Sequence, residues 1–128
     1  MGAEIPEGVT NPSEPFTRAS IYLGPLFEEH GFRPVAREYD DAPEGSAMAE
    51  YLRGSLALRL VWEGTERVLW IEAARSTGGS IISRWTDIEW VVAGERRPPD
   101  PDLDDARLGR LAAALTSYLA MARDAARR

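Results

Sequence analysis

Residues 56–74, LALRLVWEGTERVLWIEAA, decide the fold because apolar side chains alternate along both halves of this stretch. Successive side chains of a β-strand point to opposite faces of a sheet, so this period of two predicts strands rather than a helix. The segment Glu63-Gly64-Thr65 separates the two halves and is typical of a hairpin loop. We therefore predict two antiparallel strands whose core face carries Leu56, Leu58, Leu60, Trp62, Leu69, Ile71 and Ala73.

Three more strands are predicted around this hairpin. They cover residues 35–39, 47–53 and 81–92, where apolar side chains again alternate between turn-forming segments. In the last strand, the core positions are expected to be Ile88, Trp90 and Val92. Because the connections are short, all five strands should pair antiparallel in a meander.

One predicted helix precedes the strands along the chain and another follows them. The first is predicted to start after Ser13 as N-cap and to end at Gly31, and Pro25 inside it predicts either one kinked helix or two short ones. The second should be capped by Asp100 and carries a leucine seam that includes Leu108.

The predicted fold class is therefore α+β. It consists of an N-terminal kinked helix, a five-stranded antiparallel meander sheet and a C-terminal helix, with both helices packed on the leucine-rich sheet face. Residues 1–12 are expected to form a flexible lead-in, and residues 13–128 a single domain.

Composition excludes several classes of function. The 128-residue chain has no cysteine, no lysine and one histidine, which removes disulfide scaffolds, thiolate nucleophiles, cysteine zinc sites and lysine Schiff bases. Its net charge of −6, with arginines dispersed among acids, disfavours nucleic acid as a partner. The sequence shows neither a membrane span nor a secretory signal. We expect a cytoplasmic protein with no cofactor and no metal.

The sheet face opposite the leucines carries the candidate site. Three consecutive predicted strands place aromatic rings beside charged groups there, which is a composition typical of protein-binding and sugar-binding surfaces. The candidate binding residues are Arg59, Trp70, Glu72, Trp85, Asp87 and Glu89, and Val61 is expected on the same face.

Two functions remain open for this face, beside the alternative that Trp and Arg side chains cover one another on a solvated sheet. The order of elements and the acidic charge resemble bacterial immunity proteins and secretion-chaperone-like α+β domains. That resemblance implies a non-enzymatic module that binds another protein, such as a basic one, or a second copy as a homodimer. The other candidate is a hydrolase or binder of a sugar-like neutral ligand, with Glu72, Asp87 and Glu89 as acid and base.

Overall fold

The computed structural model describes residues 14–39, 45–78, 80–94 and 104–126. The predicted lead-in 1–12, the Ser13 cap and residues 95–103 lie outside these ranges. In the described chain, helix α1 (Glu14–Glu29) precedes strands β1 (Arg33–Tyr39), β2 (Ala47–Arg53), β3 (Leu56–Glu63) and β4 (Val68–Thr77). The short strands β5 (Ser80–Ile81) and β6 (Thr86–Asp87) follow, and then helices α2 (Ile88–Ala93) and α3 (Asp105–Ala126).

The sheet is an antiparallel meander in the order β1-β2-β3-β4, and both β5 and β6 pair with β4. Strands β2 and β3 are joined by the two-residue turn Gly54-Ser55, where Gly54 has a φ of 57° that favours glycine. The predicted strands at 47–53, 56–62 and 67–74 are confirmed within a few residues, and so is the α+β class.

The core lies on one face of the sheet, which we call the inner face. Both long helices pack on it, as predicted, and α1 is one continuous helix through Pro25. The core is formed by Phe16, Ala19, Leu23 and Phe27 of α1, by Leu108, Leu111, Leu115 and Leu119 of α3, and by Tyr51, Leu58, Leu60, Trp62, Leu69 and Ile71 of the sheet. At about 1.5–3 kcal/mol for each fully buried large apolar side chain, this layer is the main source of stability.

The predicted strand at 81–92 is confirmed only at Ile81 and Thr86–Asp87 and is wrong from Ile88 onward. Only Ser80–Ile81 and Thr86–Asp87 pair with β4, and the chain then turns into α2. The Asp87 side chain caps α2 by accepting a hydrogen bond from the Glu89 backbone N–H, and Gly94 ends it in the left-handed conformation. Helical spacing buries Ile88 and half-buries Val92, whereas Trp90, predicted for the core, is 54% exposed.

The start of the last helix also differs from the prediction. Asp104 caps α3: its side-chain Oδ1 accepts a hydrogen bond from the Arg107 backbone N–H at 2.8 Å, and its carbonyl accepts one from Leu108. The predicted cap, Asp100, lies outside the described residues. Several aspartates in this segment can serve as a cap, so spacing alone does not select one. The acid at the start of the helix, Asp105, pairs with Arg18 of α1.

Candidate functional site

The outer face of the sheet, opposite the helices, is built from two neighbouring rows of side chains. Strand register places Glu50, Arg59, Glu72 and Asp87 side by side across β2, β3, β4 and β6, and we call these residues the charged row. The next row contains Glu38, Met48, Val61 and Trp70 across β1 to β4, and we call it the apolar row. Adjacent strands lie about 4.8 Å apart, so each row spans about 14 Å.

Arg59 holds the charged row together. Its Nε donates to Glu50 Oε1 at 3.2 Å, and its Nη1 lies 3.9 Å from Glu72 Oε1. The second oxygen of Glu72 accepts a hydrogen bond from Trp70 Nε1 at 3.3 Å. The side chains of Arg59, Glu50 and Glu72 keep 29%, 15% and 18% exposure, so water and a partner can still reach this network.

Trp85 lies over the Arg59 guanidinium, 4.0 Å from its ring centroid. It belongs to the segment between β5 and β6, which is tied to β4 where the Arg75 backbone N–H donates to Ser83 Oγ at 2.7 Å. The stacking and the ion pairs satisfy Arg59 within the fold. This part of the face therefore fits the alternative in which Trp and Arg side chains cover one another on a solvated sheet.

The face is more closed at one end than at the other. Ala57 and Ala74 are buried although they point outward, whereas Met48, Val61 and Trp70 are half-buried. The surface that remains for a partner therefore lies along the apolar row.

Asp87 lies opposite Glu72 on the outer face, which is the face predicted for it. Its carboxylate has a structural task in addition, because Oδ1 accepts the hydrogen bond that caps α2 at 2.9 Å. The prediction thus placed this residue correctly, and the cap contact was not part of it.

The predicted place of Glu89 is wrong. It lies on α2, and its two oxygens accept hydrogen bonds of 2.6 and 2.7 Å from the guanidinium of Arg107 on α3. That guanidinium also donates to the Leu69 carbonyl at 2.8 Å, and Arg107 is 1% exposed. Glu89 is therefore part of the packing between α2, α3 and β4 rather than of the outer face, because a helix replaces the predicted strand.

Two charged residues of these networks were missing from the predicted set. Glu50 could have been found, because a two-residue turn at Gly54-Ser55 fixes the register of β2 against β3 and places Glu50 opposite Arg59. Arg107 stands four residues before Leu111 in the leucine seam, a position that signals burial, but the sequence does not show which carboxylate pairs with it.

An open groove of about 300 Å³ lies at the Glu38 end of the apolar row. Glu38, Tyr39, Ser46, Ala47, Met48 and Val61 line it. Ser46 Oγ donates a hydrogen bond to Glu63 Oε2 at 2.9 Å, and the Thr65 backbone N–H donates to Oε1. These two bonds lower the pKa of the Glu63 carboxyl.

Acidic groups dominate the outer face. Strand alternation places Glu38, Glu50, Glu63, Glu72 and Asp87 on it, and its strand arginines are Arg59 and Arg33. Arg59 is already paired with two of the carboxylates. The face as a whole therefore favours a cationic partner.

Three findings bear on other chemistries. Within the described ranges, no group of three potential metal ligands comes together. Nor does any helix among those residues have the length and apolar character needed to cross a membrane. Glu89, one of the three carboxylates predicted for acid and base catalysis, is directed at Arg107 of α3, whereas Glu72 and Asp87 remain on the outer face.

Comparison with known proteins adds no relative: no family model, no curated protein and no solved structure matches this chain. Its function is therefore argued from its own residues.

Proposed function

We propose that this protein is a non-enzymatic binding module that captures a basic partner protein on the outer face of its sheet. The observation that carries the proposal is the pair of adjacent rows, one apolar with Trp70 in it and one rich in carboxylates. Aromatic and aliphatic side chains supply contact area for a partner, while a surplus of carboxylates selects basic surfaces and speeds association.

A basic protein suits this face better than a second copy of the chain. In a two-fold symmetric contact the same patch is used by both subunits, so the outer-face carboxylates would approach one another. Like charges across an interface cost several kcal/mol, whereas opposite charges are attracted before contact. An acidic inhibitor of a basic toxin, as in an immunity-like role, is the form of this function that gains most from the charge.

Acid and base catalysis is supported less well than binding. Glu72 contacts Arg59 through one oxygen and Trp70 through the other, Asp87 caps a helix, and Glu89 accepts two bonds from Arg107. The groove on this face is lined by a single carboxylate, Glu38, among the described residues. A cytoplasmic setting belongs to the proposal, because a core without disulfides suits a reducing compartment.

The test uses the immobilised protein and native cell lysate at low and moderate salt, with Trp70→Ala as the variant. Trp90→Ala is the matched control, because Trp90 is an exposed tryptophan of α2 and not part of the outer face. We expect a basic protein at a one-to-one ratio on wild type and on Trp90→Ala, and at least tenfold weaker retention on Trp70→Ala, the size of an interface hot spot.

The retained protein is then purified and its Kd measured by calorimetry against all three forms. Circular dichroism of each variant shows that the fold is intact. Equal affinity of Trp70→Ala and wild type would contradict the proposal, as would retention of an acidic protein or of nothing.

A further inference from the structure

The groove at the end of the apolar row has the shape and chemistry of a subsite for one long side chain. Its volume of about 300 Å³ is at the lower limit of cavities that hold small-molecule ligands. It is open to solvent and lies at the Glu38 end of the apolar row, whose other end is Trp70. A side chain from a docked protein therefore fits it better than a free ligand that must be enclosed.

The groove combines apolar and acidic lining residues. Met48 and Val61, which are paired across β2 and β3, supply the apolar surface, and Glu38 is exposed beside Met48 on β1. Ser46, which lines the groove, donates a hydrogen bond to the Glu63 carboxylate, and this contact brings a second negative charge next to the groove. This combination of apolar surface and carboxylate matches a side chain with an aliphatic stem and a cationic head.

The outer face already contains one example of such an arrangement. One row away, the chain's own Arg59 lies between Glu50 of β2 and Glu72 of β4, with the Trp85 ring over its guanidinium. The groove repeats the combination of strand carboxylate and apolar contact, and none of its described lining residues is basic. It therefore presents the environment of an arginine, with no arginine among the described residues that line it.

We propose that this groove receives a single arginine or lysine side chain of the basic partner, with the stem on Met48 and Val61 and the head at Glu38. The inference rests on the proposed function and specifies the partner chemistry at one end of the binding face. An anionic or neutral side chain would leave Glu38 without a counterion and gains nothing from the negative charge of the face.

Methionine methyl groups provide a local test. The chain has three methionines, of which Met48 lies in the groove and Met121 is 46% exposed on α3. Protein labelled with ¹³C at the methionine methyls is titrated with acetyl-Gly-Leu-Arg-Leu-Gly-amide, and Met48→Leu assigns the resonance. The comparison peptide carries citrulline, the neutral isostere of arginine, in the same position.

We expect the arginine peptide to shift the Met48 methyl resonance in a saturable way and to leave Met121 unshifted, with at least threefold weaker binding of the citrulline peptide. Glu38→Gln should weaken the arginine peptide at least threefold. Glu29→Gln removes the same charge from an exposed position at the end of α1 and should leave the Kd unchanged. Equal binding of the two peptides, equal effects of the two variants, or a shift of Met121 with Met48 would overturn the proposal.

The two proposals fail in different ways. If the partner depends on Trp70 but Met48 does not respond to the peptide, and Glu38→Gln binds the partner normally, the groove is not its subsite and the proposed function stands. If Met48 responds as expected but no basic protein is retained through Trp70, the groove binds cations and the proposed function is wrong.

Discussion

Two arginines of this protein bind carboxylates in opposite surroundings. Arg107 is 1% exposed between α2, α3 and β4 and makes two hydrogen bonds to the single carboxylate of Glu89. Arg59 is 29% exposed on the outer face, where it contacts both Glu50 and Glu72. Among the described residues, the buried arginine is thus bound by one carboxylate, whereas the outer arginine lies between two.

This difference separates a structural contact from a surface suited to recognition. The Arg107 guanidinium is shielded from water, although Glu89 keeps 16% exposure, and the contribution of this pair goes to holding α2 against α3. The outer cluster is reached by water and keeps a surplus of carboxylates next to the half-buried apolar row, which is the combination that attracts and then holds a basic partner. Substitutions in the inner pair should therefore affect mainly the stability of the fold, whereas substitutions in the outer cluster should affect mainly the binding of a partner.

The largest effect is expected for Glu89→Ala. It removes the carboxylate that accepts two hydrogen bonds from the buried Arg107 guanidinium, so we expect the free energy of unfolding to fall by about 3–5 kcal/mol. Urea unfolding followed by circular dichroism measures this change. Glu29→Ala, which removes an exposed helical glutamate, is the control and should stay within about 0.5 kcal/mol of wild type.

A loss below about 1 kcal/mol for Glu89→Ala would place the inner pair in the range of surface ion pairs and remove the contrast with Arg59. The double variant Glu89→Leu with Arg107→Leu should recover most of the stability, because no unpaired charge is left in the core.

Arg59→Leu should have a smaller effect, about 1–2 kcal/mol, because water can still reach Glu50 and Glu72 when their shared cation is removed. The same unfolding measurement applies, with Arg110→Leu as an exposed control on α3. If Arg59→Leu lowers the free energy of unfolding as much as Glu89→Ala does, the outer cluster stabilises the fold as strongly as the inner pair, and the contrast between them is wrong.

Salt should distinguish the two clusters further. At 1 M salt the Debye length is about 3 Å, so the repulsion between Glu50 and Glu72 in Arg59→Leu is screened and its cost should fall by about half. The cost of Glu89→Ala should change less, because the Arg107 guanidinium is 1% exposed and salt ions reach it poorly. A parallel decrease for both variants would contradict the difference in burial.

The smallest effect concerns Glu63, whose pKa is lowered by hydrogen bonds from Ser46 and from the Thr65 backbone N–H. A lowered carboxyl pKa contributes stability above the unfolded pKa, and this contribution is lost as the pH falls through the folded pKa. Ser46→Ala should therefore cost about 1 kcal/mol at pH 7 and progressively less as the pH falls through the lowered pKa of Glu63. A cost that does not change with pH would show that packing, and not the carboxylate bond, is affected.

The central strands and the three site residues on them could be predicted from the sequence because the two faces of these strands differ in burial. Along β3 and β4 one face is buried and the other is not, so alternation identifies both the strands and the outward Arg59, Trp70 and Glu72. The prediction failed after Ser80, where apolar residues fit a strand and a helix equally well. There the Asp87 cap selects the helix and turns Glu89 toward Arg107.

Neither the groove nor the buried pair could be predicted from local patterns. The groove depends on β1 lying next to β2 so that Glu38 stands beside Met48, and the pair depends on the packing of α2 on α3. Both are contacts between elements, which periodicity within one element does not specify.

Carboxyl footprinting of the complex tests the central claim most directly. The captured partner and the protein are treated together with a carbodiimide and glycine ethyl ester, and labelling of each glutamate is compared with that of the free protein by mass spectrometry. We predict protection of Glu38, Glu50 and Glu72 on the outer face and unchanged labelling of Glu28 and Glu29 on α1. Protection of the α1 glutamates with unchanged outer-face labelling would show that the partner binds elsewhere and contradict the account.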